Sequence, residues 1–206
     1  MGLYSTVIAP RLVDIACGPK ALDKWRRPVV EGLSGVVLEI GVGGGRNLHL
    51  YPAEVTEIWG VEPSPVMRAV ANKRARSLGR EINWVGDDAQ TLDVPAGSVD
   101  FVVSTFTACT IPDPTVALRK ARLALKAGGE LRCVEHGIAP DESVRRWQRR
   151  LQPLHIHLAD GCHLLRNPGD IVRAAGFTET QRFEKYPLPY QKWMYFTSLR
   201  AVPTEV

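Results

Sequence analysis

The segment Glu39-Ile40-Gly41-Val42-Gly43-Gly44-Gly45-Arg46 constrains this chain more than any other. It follows an apolar, β-branched run, Val36–Ile40, and places four glycines in five positions, where backbone entropy is lost with no side chain to pack. Such a loop is useful where the backbone turns sharply at the end of a buried strand and lets a ligand approach closely. In an open α/β sheet that place is the carboxyl edge of the strands.

The rest of the chain agrees with a mostly parallel sheet. Strands are expected at Val36–Ile40, Glu57–Val61, Ile82–Val85, Val99–Val103 and Leu131–Val134, with two closing strands around Phe177–Phe183 and Trp193–Leu199. Helices alternate with them: one opened by the glycine loop, one capped by Ser64 with Pro65 in its first turn, one from Pro114 to Leu125 stopped by Gly128-Gly129, and one from Pro168 to Ala175. An arginine-rich helix over Asp141–Leu154 and an irregular stretch over His155–Arg166 interrupt this rhythm. The expected fold class is therefore α/β, a Rossmann-like sheet of seven strands with helices on both faces. The 206 residues read as a single domain, with a helical leader over 1–34, a cofactor-binding core over 35–136, an insertion over the acceptor site at 137–166 and a closing helix and strands at 167–206.

The composition narrows the function classes. A formal charge of +4 with no nucleic-acid motif reads as solvated helix faces, so no nucleic-acid partner is expected. The longest stretch without a charge, Phe101–Pro112, has 12 residues, too few to cross a bilayer. Cys17, Cys109, Cys133 and Cys162 lie 92, 24 and 29 residues apart with no CxxC pair, which predicts reduced thiols in a cytoplasmic protein. The five histidines lack metal-ligand spacing, so no metal site is expected.

Two cofactor classes compete for the glycine loop. A dinucleotide requires G-x-G-x-x-G/A, and Arg46 stands at the third small position. S-adenosylmethionine requires room for its methionyl chain and an acidic group near its cationic centres, which the glycines and Glu39 supply. Glu62, 23 positions after Glu39 at the end of the second strand, is placed to accept from both ribose hydroxyls. After the third strand, Gly86-Asp87-Asp88-Ala89-Gln90 offers a carboxylate for the adenine amino group. Asp88 is favoured there, and Asp87 reads as a turn or capping residue.

With these residues the chain resembles the class I S-adenosylmethionine-dependent methyltransferases over about residues 36–136, through Val37–Gly45, Val61–Ser64, Gly86–Leu92, Ser98–Ser104 and Leu125–Leu131. A narrower resemblance covers nearly the whole chain. Ala9–Gly18, Thr107–Pro114, Val134–His136 and Trp147–Arg166 are similar to a group of small bacterial methyltransferases and mammalian membrane-associated alkyl-thiol methyltransferases. The mammalian members carry a hydrophobic N-terminal anchor, and none is expected from residues 1–34. The resemblance implies methyl transfer to a small-molecule acceptor, with a thiol as the expected nucleophile. A lipid headgroup or quinone is the enzymatic alternative, and a non-catalytic S-adenosylmethionine sensor the alternative of another class. A weak contact with a membrane surface remains compatible with it; the oligomeric state is left open.

The cofactor-binding set is read as Glu39, Gly41, Gly43, Gly44, Gly45, Asn47, Glu62, Pro63, Asp88, Ala89 and Thr105. His136, at the end of the fifth strand, is the candidate for orienting or deprotonating the acceptor. Tyr4, Cys109, Trp147 and His163 are the candidates for contacting it.

Overall fold

A computed structural model describes residues 11, 14, 15, 18, 22–159, 161–187 and 194–205. Tyr4, Cys17 and Trp193 lie outside these. Helix α1 (Asp23–Val30) leads into β1 (Gly35–Ile40), followed by β2 (Val55–Val61), α2 (Pro65–Ser77), β3 (Asn83–Gly86), β4 (Val99–Thr105), α3 (Pro114–Ala124) and β5 (Leu125–Gly137). Then come α4 (Glu142–Leu158), α5 (Pro168–Ala174), β6 (Phe177–Lys185) and β7 (Tyr195–Pro203). All seven strands form one sheet in the order β3-β2-β1-β4-β5-β7-β6. Strands β1 to β5 are parallel, while β7 runs antiparallel between β5 and β6.

The alternation of side chains along a strand divides the interior in two. Leu38, Val102 and Cys133 point to the face covered by Ala117, Leu118 and Ala121 of α3 and Val172 of α5. Val37, Val103 and Val134 point to the opposite face, under Trp25, Val29 and Val30 of α1 and Ala71 and Ala75 of α2. Burial on both faces explains why these strands read as apolar runs. The strand order reverses direction beside β1, where the chain leaves β3 and resumes at β4, and a crevice opens there at the carboxyl edge.

Helix starts follow their capping residues. Ser64 Oγ accepts from Met67 N at 3.3 Å at the head of α2, Asp113 accepts from Val116 N at 3.1 Å at α3, and Asn167 accepts from Gly169 N at 3.0 Å at α5.

Other boundaries differ from the expectation. No helix follows the glycine loop: residues 43–50 form consecutive turns, consistent with the low helix propensity of three adjacent glycines. Helix α3 stops at Ala124 rather than at the glycine pair, because Gly97 N and Ser98 N bond the carbonyls of Leu123 and Ala124 in its last turn. Strand β5 is correspondingly longer than Leu131–Val134, pairing Val99 with Leu125 at one end and Gly137 with Tyr195 at the other. Helix α4 continues through Pro153 to Leu158, so His155 is helical and the irregular stretch shortens. Among the described residues no helix is long and apolar enough to cross a membrane.

Candidate functional site

A cleft of about 650 Å³ opens at the carboxyl ends of β1 to β4, within the usual size of a small-molecule site. The glycine loop forms its floor. Gly41 and Gly43 hold φ values of 70° and 54°, and a side chain on Gly41 would collide with Thr107. The space where a Gly43 side chain would stand is open.

Glu62 fastens this loop to the second strand. Its Oε2 accepts from Gly43 N at 2.8 Å and its Oε1 from Ser64 N at 2.9 Å, and the residue lines the cleft with Pro63. Asp87, Asp88 and Ala89 form the third wall. The capping role expected of Asp87 belongs to Asp88, whose Oδ1 accepts from Gln90 N at 2.8 Å to open a short 3₁₀ turn, Ala89–Thr91. Thr105, Phe106, Thr107, Thr110, Ile111 and Pro112 make the opposite wall.

Of the eleven residues read as cofactor-binding, Gly41, Gly43, Gly44, Glu62, Pro63, Asp88, Ala89 and Thr105 line the cleft. Glu39, Gly45 and Asn47 do not. Glu39 is buried beneath the loop, where Oε1 accepts from Asn47 Nδ2 and Oε2 from the Tyr51 hydroxyl, both at 2.8 Å. Burial raises its carboxyl from 4.5 to about 7, against the opposing effect of Tyr51, Asn47 and Arg26. Gly45 permits close packing: a side chain there would strike Leu48 and reach the backbone of Ala71 in α2. Asn47 completes the support by donating to Thr105 Oγ1 at 3.1 Å.

Arg26 escaped the sequence reading, since a lone arginine on an amphipathic helix carries no motif. It is buried, lines the cleft, and donates to Thr105 Oγ1 at 2.7 Å and Asn47 Oδ1 at 3.1 Å, with its guanidinium 5.0 Å from the centre of the Phe106 ring. Phe106 itself has φ of 56°, an uncommon value for a bulky residue.

Glu135 also went unassigned. Its Oε1 accepts from Ser104 Oγ at 2.8 Å and from Thr107 N and Ala108 N at 3.1 Å, tying the loop after β4 to β5. Burial raises its carboxyl above the ordinary value. Arg166 closes the loop's far end, donating to the carbonyls of Ala108 at 2.6 Å, Ile111 at 2.7 Å and Pro112 at 3.0 Å.

The acceptor-side candidates divide. Trp147 is 58% exposed on α4, with Arg150 stacked on its ring at 5.6 Å, and is not part of the cleft wall. Cys109 and His136 are buried behind the loop after β4 rather than in the cleft. His163 adjoins them through its backbone, donating to Cys109 O at 2.9 Å. His136 Nε2 lies 2.9 Å from Cys162 Sγ, and His155 Nδ1 lies 3.3 Å from Cys162 O. Contact with Cys109, then with His136 and His155, pushes the Cys162 thiol below its ordinary value against its burial, and the Cys162 contact raises His155. The expectation of no metal-ligating set rested on sequence spacing; the fold gathers Cys109, His136 and Cys162 from three separate segments, with donor atoms all within 4.8 Å of one another.

The cleft fits S-adenosylmethionine better than a dinucleotide. Its loop leads into turns rather than into the helix terminus that holds a pyrophosphate, and the Arg46 guanidinium donates to the Asp14 carboxylate rather than standing open to a phosphate. Residues 38–133 match the family model described as a methyltransferase domain. The rat thiol S-methyltransferase TMT1B is 34% identical over 164 residues, covering 77% of this chain and 65% of that protein. Its human counterpart is 31% identical over 176 residues, covering 80% and 70%. The chain thus spans about two thirds of the length of these relatives. Among solved structures, a geranyl diphosphate methyltransferase in complex with S-adenosylmethionine superposes with a TM-score of 0.67 at 13% identity, covering 89% of this chain and 85% of that one.

Proposed function

The chain belongs to the class I S-adenosylmethionine-dependent methyltransferases, and from that premise we propose that its acceptor is a small apolar thiol, methylated at sulfur. When bound, S-adenosylmethionine supplies an electrophilic methyl group, which a sulfur lone pair takes as the sulfonium leaves as a neutral thioether. In this reading Glu62 and the backbone of Gly41–Gly44 bind the cofactor, with Asp88 and Ala89 beside the adenine. Thr105, Phe106, Thr107 and Ile111 shape the acceptor's approach and exclude water.

The observation that carries the proposal is the character of the wall facing the glycine loop. It presents aromatic, aliphatic and hydroxyl groups from residues 105–112, with the Arg26 guanidinium beside Thr105 and Phe106, while the carboxylates of Glu62, Asp87 and Asp88 lie on the other walls of the cleft. A fixed guanidinium favours a thiolate over a thiol, and a thiol with a pKa near 8.5 already supplies a few per cent thiolate at neutral pH. A site for sulfur therefore needs little more than alignment and positive potential. The likeness to thiol S-methyltransferases over more than three quarters of the chain supports the same acceptor.

The experiment is a ranking of acceptors by S-adenosylhomocysteine formation, with alkyl thiols, phenols and phosphatidylethanolamine vesicles in parallel. Alkyl thiols are expected to turn over fastest. Turnover of the lipid headgroup alone refutes the thiol proposal and leaves methyl transfer intact.

A further inference from the structure

We infer that Cys109, His136 and Cys162 form a binding site for a divalent cation of the zinc class, separate from the cofactor cleft. The donor set is chemically selective: two sulfurs and an imidazole suit a borderline-soft ion and match ligand combinations used for zinc. All three residues are buried, and their donor atoms lie within 4.8 Å of one another. In a tetrahedral zinc site, bonds of 2.3 Å to sulfur and 2.0–2.1 Å to nitrogen put neighbouring donors about 3.6 Å apart. His136 Nε2 and Cys162 Sγ, at 2.9 Å, would separate by only about 0.7 Å to admit the ion.

The orientation of His136 adds to this: Nε2, the ring nitrogen with a polar partner, is the one that faces Cys162. His155, whose ring centre is 6.4 Å from that of His136, or a water is left to fill the fourth position.

The ion would tie together the loop after β4, the end of β5 and the segment after α4. Those are the elements that Glu135 and Arg166 already bind to one another. Its role is thus to fix the wall of the cleft, and it does not depend on the identity of the methyl acceptor.

The test is a titration of the reduced 206-residue chain with Co²⁺ under argon, read by absorbance. A sulfur-to-cobalt charge-transfer band that saturates at a single equivalent and disappears on adding Zn²⁺ is expected. Cys109→Ser, Cys162→Ser and His136→Ala should each weaken binding by more than about 100-fold, since even outer partners of a metal ligand are worth 10–100-fold. Cys133→Ser, which removes another buried cysteine, should leave the band unchanged. Because the wild-type spectrum decides, a variant that fails to fold does not rescue the idea. Absence of the band in reduced wild-type protein, or a band retained in both Cys109→Ser and Cys162→Ser, overturns the assignment. So does wild-type protein that binds no metal and joins Cys109 to Cys162 as a disulfide on mild oxidation.

Discussion

Replacing Glu39 by glutamine should remove a specific part of the pH dependence of stability. In the native protein burial raises this carboxyl from 4.5 to about 7. In the unfolded chain it titrates near the ordinary value. A raised carboxyl binds its proton more tightly in the folded state, so its contribution to stability is present below the unfolded pKa and is lost as pH rises through about 7. With those two values, the loss between about pH 5 and pH 9 is about 2–3 kcal/mol. Glutamine preserves the shape: its carbonyl can accept from Asn47 Nδ2 while its amide donates to the Tyr51 oxygen, once that hydroxyl turns. Urea denaturation of both proteins across this range, without cofactor, gives a difference curve that cancels the other titrating groups. Wild-type stability relative to Glu39→Gln should fall with rising pH by about 2–3 kcal/mol, most steeply between about pH 5 and pH 7. A flat difference curve, or one that rises with pH, refutes the argument that desolvation outweighs Arg26, Asn47 and Tyr51 at this carboxylate.

Glu62→Ala should weaken S-adenosylhomocysteine binding by about 1.5–3 kcal/mol, the range for hydrogen bonds to a charged group, and calorimetry that finds an unchanged affinity would remove Glu62 from the cofactor site. Arg166→Met releases three carbonyls of the loop over 108–112; it should lower kcat/KM for the acceptor by about tenfold, with a smaller effect on S-adenosylhomocysteine affinity, and equal losses in both would place the loop on the cofactor instead.

Much of the cleft's lining was legible because its signals are local. Buried strands announce themselves as apolar runs, caps such as Ser64 act within one turn, and the glycine loop, Glu62 and Asp88-Ala89 each follow directly on a strand. A parallel sheet brings the ends of such strands to one edge, so a linear order of motifs becomes a spatial cleft. Where two local signals competed, the sequence decided less. The glycines that marked the loop also prevented the expected helix, and the capping role expected of Asp87 fell to Asp88, whose carboxylate reaches Gln90 N.

The amino-acid order alone determined an α/β sheet with a glycine loop at its carboxyl edge, because periodicity, capping and turn chemistry act between neighbours in the chain. Only the tertiary structure decided what lies behind that edge. Arg26 enters the cleft from a helix before the sheet, Glu39 withdraws beneath the loop it introduces, and Trp147 turns outward on α4. Cys109, His136 and Cys162, spaced 27 and 26 residues apart, meet because a loop, a strand end and a post-helical segment pack against one another. No spacing rule encodes that meeting; it is set by how buried surfaces fit, and so it becomes visible only once the chain has folded.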